Sequence, residues 1–131
     1  MEDCLFCKII KGEIPSSTVY EDELIKVIMN INPNTNGHLL VLPKEHYTNL
    51  LDTPNEVITH SLDVVRNNIY PKLKEKISCE GLTLAQNNEL GQEIKHYHLH
   101  LIPRYQNDNA DFTYDEENIK DVSEIYNKIM D

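Results

Sequence analysis

Hydrophobic positions along this chain follow two periods. Short apolar runs rich in β-branched residues occupy Ser17–Tyr20, Leu24–Met29, His38–Leu42 and Leu82–Gln86, each bounded by turn-forming residues. Such runs predict strands. Ile94–Ile102 is a longer run, partly alternating between polar and apolar, and predicts a longer strand. After Thr53 the period lengthens, and Val57, Ile58, Leu62, Val65 and Ile69 recur at helical spacing. Thr53-Pro54-Asn55-Glu56 reads as the start of that helix, with a reciprocal cap between Thr53 and Glu56 and Pro54 in the first helical position. Pro71 is expected to kink or divide the helix, with Leu73 and Ile77 continuing its apolar face. A second amphipathic helix is predicted over Glu117–Met130 from Ile119, Val122, Ile125, Tyr126 and Ile129. Cys4–Ile10 reads as a short helical turn closed by Gly12, and Asn30–Gly37 and Asn87–Gln92 as loops. The expected class is α+β: an antiparallel sheet with one main helix and a C-terminal helix.

With 131 residues, the chain is expected to form a single domain over 1–131, with a core of about 4–105 and an extension over 106–131. The formal net charge is −10, and eight acids against two lysines place −6 of it in that extension. This balance excludes a duplex nucleic-acid binder, which needs a basic footprint. No run reaches the ~18 apolar residues of a membrane span. Met1-Glu2-Asp3-Cys4 lacks the basic and apolar regions of a signal peptide, so a cytoplasmic location is the default expectation.

Candidate chemistry concentrates in His96-Tyr97-His98-Leu99-His100. On a strand, the three histidines would share one face at intervals of about 7 Å, while Tyr97, Leu99 and Leu101 point into the core. A single histidine such as His60 is ordinarily a satisfied packing or surface residue. Three in alternation point instead to a metal site or to nucleophilic or acid–base catalysis. Cys4-x-x-Cys7 suggests zinc, with two small buried residues as the alternative; no thioredoxin-like βαβ pattern follows to support a redox role. Cys79 has no partner in the sequence and reads as a packing residue.

His96-Tyr97-His98-Leu99-His100-Leu101-Ile102 resembles the histidine-triad (HIT) pattern, in which histidines alternate with apolar residues. Gly91-Gln92 before it, Pro103-Arg104 after it, Asn32-Pro33, Gly37-His38, Pro43-Lys44-Glu45-His46 and the opening from Cys4 to Ser17 resemble the same family, in particular bacterial HIT hydrolases. The resemblance implies that His98 attacks the α-phosphorus of a nucleotide. The covalent nucleotidyl-histidine is then hydrolysed to a nucleoside monophosphate. It implies that His100 contacts the phosphate and supports proton transfer, and that His38 orients its neighbours. The loop before the triad would contact the phosphate through Asn87 or Asn88, with Gly91 allowing close backbone approach and Gln92 and Glu93 beside it. A carboxylate next to a phosphate is unfavourable, so Glu93 is not expected to be a direct phosphate ligand. Asn30 would bond the ribose, with Ile31 in the turn after the strand; the family often has Asp at position 30, and Asn lies closer to the branch that cleaves dinucleoside polyphosphates.

The resemblance further implies a structural zinc held by Cys4, Cys7, His46 and His96, and a homodimer paired through the helix and a sheet edge. The expected activity is hydrolysis of purine nucleotide phosphoramidates or dinucleoside polyphosphates. A nucleotidyltransferase or phosphorylase is the first rival, although that branch typically carries Gln where this chain has His100. A non-enzymatic, zinc-containing nucleotide-binding module is the second.

Overall fold

A computed structural model describes residues 3–131. Five strands form one antiparallel sheet: β1 (Thr18–Glu21), β2 (Ile25–Met29), β3 (Leu39–Pro43), β4 (Gly81–Ala85) and β5 (Leu99–Arg104), in the order β1-β2-β3-β5-β4. The class is that expected from the sequence, and four of the predicted strands differ from the observed ones only by a residue or so at their ends. β3 is central and buried along its whole length. Its side chains alternate between two apolar clusters, as a strand covered on both faces requires.

On one face, Leu39 and Val41 join Ile25, Val27, Leu99 and Leu101. This face is covered by α2 (Asn55–Val64), a π-helical turn over Val65–Ile69, and α3 (Tyr70–Ile77). On the other face, Leu40, Leu42 and Ile28 meet Phe6 and Ile9 of the short helix α1 (Leu5–Ile10). Because α1 is so short, it covers only part of this face, and the uncovered part is where the histidines gather.

Two sequence expectations are corrected, and a third gains a structural detail. The expected side-chain cap at Thr53 does not form, because its hydroxyl donates to the Asn49 carbonyl at 2.6 Å; α2 begins after Pro54 without a side-chain cap. Pro71 divides the helix as expected, but through a π-turn immediately before it. Proline lacks an N–H and its ring presses on the preceding turn, which the wider π geometry accommodates. The strand expected over Ile94–Ile102 begins only at Leu99. The preceding backbone leaves the sheet to pair elsewhere: Tyr97 N–H donates to Tyr47 O at 2.7 Å, and β4 ends with Ala85 opposite His100. The triad therefore spans a bend and a strand rather than lying on one strand.

The extension holds a 3₁₀ turn (Glu116–Asn118) and α4 (Val122–Met130), shorter than the predicted helix. α4 buries none of its residues within the chain, and Val122, Tyr126 and Ile129 are exposed. No helix among the described residues is long and apolar enough to cross a membrane. Cys79 is buried, as expected of a packing residue.

Candidate active site

The β3 register positions the first histidine. Gly37 has φ +89°, and a Cβ there would come 2.4 Å from Ile77 Cδ1, so the chain can enter β3 this way only at a glycine. His38 follows and is buried beside β5, where Leu40 pairs with His100. The backbone N–H of Asn34 donates to His38 Nδ1 at 3.0 Å. A backbone N–H can only donate, so a neutral His38 carries its proton on Nε2. That nitrogen lies 2.9 Å from His100 Nδ1 and donates to it, so His100 in turn holds its proton on Nε2. Asn30 Nδ2, 3.3 Å from the same His38 nitrogen, is then a close contact between two donors. Burial lowers the pKa of both rings, that of His100 to about 4, which keeps this relay neutral.

His98 is buried on the bend before β5. Its Nδ1 donates to the His96 carbonyl at 2.8 Å, leaving the Nε2 lone pair free. Its ring lies 5.0 Å from that of His100 and 5.0 Å from Phe6, which meets it edge-on. Burial lowers its pKa, while the hydrogen bond to His96 and the Glu93 charge act the other way.

His98 and His100 line a cavity of about 640 Å³, a size suited to a small-molecule ligand. Asn30, Ile31, Asn87, Gly91 and Glu93 also line it. Gly91 has φ +98°. Asn88 turns away: its carbonyl accepts from Leu50 N–H at 2.8 Å and from the Gln86 amide, so Asn87 is the loop asparagine at the cavity. Gln92 is a correction to the expected substrate-side set. It is buried, its amide donates to the carbonyls of Thr48 and Ile94, and its oxygen accepts from Glu89 N–H. Its polar atoms hold the loop together and do not face the cavity. Asn30 is only partly free, since its side-chain oxygen accepts from Asn32 N–H at 2.9 Å. The sequence reading missed the cavity's apolar wall from α1 and the loop after it, Phe6, Ile9 and Ile14, and also missed Asn34. The first three read simply as the apolar side of a short helix, and a backbone donor has no sequence signature.

His96, two residues before His98, faces another way. Its Nε2 donates to Pro43 O at 2.9 Å, leaving Nδ1 unprotonated. That nitrogen lies 3.3 Å from Cys4 Sγ, 3.5 Å from Cys7 Sγ and 3.1 Å from His46 Nδ1, and Cys7 Sγ lies 3.2 Å from His46 Nδ1. Tetrahedral zinc requires ligand separations of about 3.3–3.8 Å for this mixture of thiolates and imidazoles. All four ligand atoms fall within 4.8 Å of one another. The donor set suits a metal ion, and the hydrogen bond from His96 to Pro43 is the outer support such a ligand usually has. Burial lowers the pKa of His96 to about 4 and raises that of the Cys7 thiol. A bound cation would therefore be what ionises this thiol.

The HIT domain family model matches residues 11–107. The chain belongs to the HIT domain family. An uncharacterized HIT-like protein of Methanocaldococcus jannaschii is 37% identical, covering 96% of this chain and 98% of that protein. An adenylylsulfatase of Arabidopsis thaliana is 39% identical, covering 81% of this chain and 54% of its own. An adenosine 5′-monophosphoramidase of Saccharomyces cerevisiae is 36% identical, covering 77% and 62%. Among solved structures, a Streptococcus mutans protein superimposes with a TM-score of 0.85 at 36% identity, covering 99% of this HIT chain and 82% of its own. A zinc-bound histidine triad family protein from Mycobacterium smegmatis does so at 0.79 and 36%, covering 87% and 84%.

Proposed function

We propose that this HIT protein hydrolyses nucleotides at the α-phosphate through a covalent nucleotidyl-His98, releasing a nucleoside monophosphate. The observation that carries this reading is the lock on His98. Its Nδ1 proton is held by the His96 carbonyl, and its Nε2 is free in a cavity that it shares with His100. A neutral imidazole nitrogen is nucleophilic near pH 7 without a strong base. His100, with its proton directed outward by His38, suits a donor to a phosphate oxygen or to the departing group. The apolar wall of Phe6, Ile9 and Ile14 suits a nucleobase, and Asn30 a ribose hydroxyl. Relatives named as an adenylylsulfatase and an adenosine 5′-monophosphoramidase support hydrolase chemistry in general and favour an adenine nucleotide.

The reading includes a structural zinc on Cys4, Cys7, His46 and His96, supported by the donor spacing and by the zinc-bound relative. Such an ion would tie α1, and with it the cavity's apolar wall, to the bend that carries His98. It takes no part in the steps assigned to His98 and His100.

Rapid acid quench during turnover of an adenosine phosphoramidate tests the mechanism. The expected result is a mass increase of one nucleotidyl group on the peptide bearing His98, absent in His98→Ala, which loses turnover but still binds nucleotide. Near-normal turnover by His98→Ala would overturn the mechanism.

A further inference from the structure

The charge of the cavity selects among substrates. Among the described residues that line it, none is lysine or arginine, and Glu93 is the single carboxylate. Arg104 pairs with Asp108 and Lys44 with Glu21. Lys95 Nζ, on the same loop as Glu93, donates to the carbonyls of Glu89 and Gln92 at 3.3 and 3.0 Å. Glu93 forms no ion pair among the described residues and is exposed at the cavity. It lines the cavity together with Asn87, Gly91, His98 and His100. Glu93 therefore shares the cavity with the nucleophile and the proton donor of the proposed reaction.

A polyphosphate leaving group carries at least two negative charges, and sites built for one normally supply cations to meet them. This site supplies none and adds a negative charge. An amine leaving group has the opposite requirement. As the bond from phosphorus to His98 Nε2 forms, the nitrogen takes up a proton relayed from water at His100 Nε2, ahead of P–N cleavage. The P–N bond then breaks with its electron pair on nitrogen, which departs as a neutral amine. Positive charge develops on the nitrogen during protonation, where a carboxylate stabilises it. The hydroxide left by that water attacks phosphorus, the P–Nε2 bond breaks with its electron pair returning to His98, and the nucleoside monophosphate leaves. Asn30 resembles the polyphosphate-cleaving branch, but it stands toward the ribose and has no direct hold on the leaving group.

We propose that Glu93 sets the leaving-group preference of this site, selecting nucleoside phosphoramidates of amines that carry further positive charge and rejecting polyphosphates. This rests on the hydrolase reading above.

The test compares kcat/KM for the adenosine 5′-phosphoramidates of ethylenediamine, propylamine and β-alanine, which are near-equal in length and carry a cation, no charge and an anion at the far end. Diadenosine tetraphosphate is the fourth substrate. The wild type is expected to rank them cation, neutral, anion, tetraphosphate. Glu93→Gln should lower the ratio of cationic to anionic substrate roughly five- to tenfold, the reach of one unit charge across a partly screened site. Glu93→Lys should invert the ratio. A ratio unchanged in Glu93→Gln with turnover intact would overturn the role of Glu93 and leave the hydrolase reading standing. Wild-type preference for the tetraphosphate would do the same. No turnover of any of the four would overturn the hydrolase reading, and this inference with it.

Discussion

His96 and His98 lie two residues apart in the same motif and present opposite nitrogens. A carbonyl takes the Nε2 proton of His96, leaving Nδ1 to the cysteine sulfurs, and another takes the Nδ1 proton of His98, leaving Nε2 to the cavity. Which carbonyl each ring meets is what separates the two. His100 is set by the same logic one step further out, through Asn34 N–H and His38. A ring whose pKa is lowered by burial stays neutral to lower pH than a free histidine, and this holds for His38, His98 and His100. The acid limb of turnover should accordingly fall below the ordinary histidine value of about 6.5. A limb centred at 6.5 in the kcat/KM profile would contradict this neutral relay. His100→Ala should reduce kcat by about 10²–10⁴-fold, the usual range for losing a positioned proton donor, and should change KM far less. The residue types of this set were readable in the sequence. The protonation state of each was not, because it depends on which backbone carbonyl or N–H the fold turns toward each ring.

At the scale of elements, the sheet and the mid-chain helix are joined by Asp22, in the turn between β1 and β2. Its carboxylate accepts from His60 of α2 at 2.6 Å, from the Tyr20 hydroxyl at 2.7 Å, and from the backbone N–H groups of Leu24 and Ile25. Burial alone would raise its pKa, but these hydrogen bonds outweigh it and hold the carboxyl well below the usual carboxylate range. A lowered pKa means that the bonds stabilise the fold fully above the unfolded value of about 3.9, and that this stabilisation is lost as pH falls below it. Asp22→Asn should therefore cost about 1–3 kcal/mol at pH 7. It should also flatten the fall in stability between pH 4 and 2. Urea unfolding across that range measures both, and parallel pH profiles for the two proteins would refute the assignment. His60 read from the sequence as a satisfied structural residue, and its hydrogen bond to Asp22 fits that reading. Its partner was not readable, because turn and helix are 38 positions apart. Strand positions in β1 to β4 were legible because apolar runs survive any packing partner. The start of β5 was not, since the segment before it is held off the sheet by Tyr47 and Pro43.

Across the whole molecule, the Cys4, Cys7, His46 and His96 cluster connects the N-terminal helix, the loop after β3 and the bend before β5. Cys4 is also the N-cap of α1, its sulfur accepting from Cys7 N–H. Serine is a good N-cap, so Cys4→Ser should keep the helix start and remove a thiolate ligand. On the proposed zinc site, untreated protein should contain about one zinc per chain, and Cys4→Ser should contain almost none. The variant's Tm should fall by roughly 5–15 °C, as expected for a loss of about 2–4 kcal/mol. Its turnover should exceed that of His98→Ala, because the ion holds the site without taking part in its chemistry. Elemental analysis showing no zinc in untreated wild-type protein would refute the site.

The sequence by itself determined the composition of the site. Three alternating histidines, a paired cysteine motif and a Gly-His before a strand identify the family, and apolar periodicity determines the class of fold. These are local properties, carried by residue type and spacing. Tertiary structure decided the division of labour. It bent the triad so that His96 joins the cysteines while His98 and His100 face the cavity. It chose Asn87 over Asn88, tied Gln92 to the Thr48 carbonyl, and placed Glu93 in the cavity lining without an ion-pair partner among the described residues. Each of these depends on hydrogen bonds and charges between segments far apart in the chain, and spacing along a sequence carries no record of what the fold brings opposite a side chain.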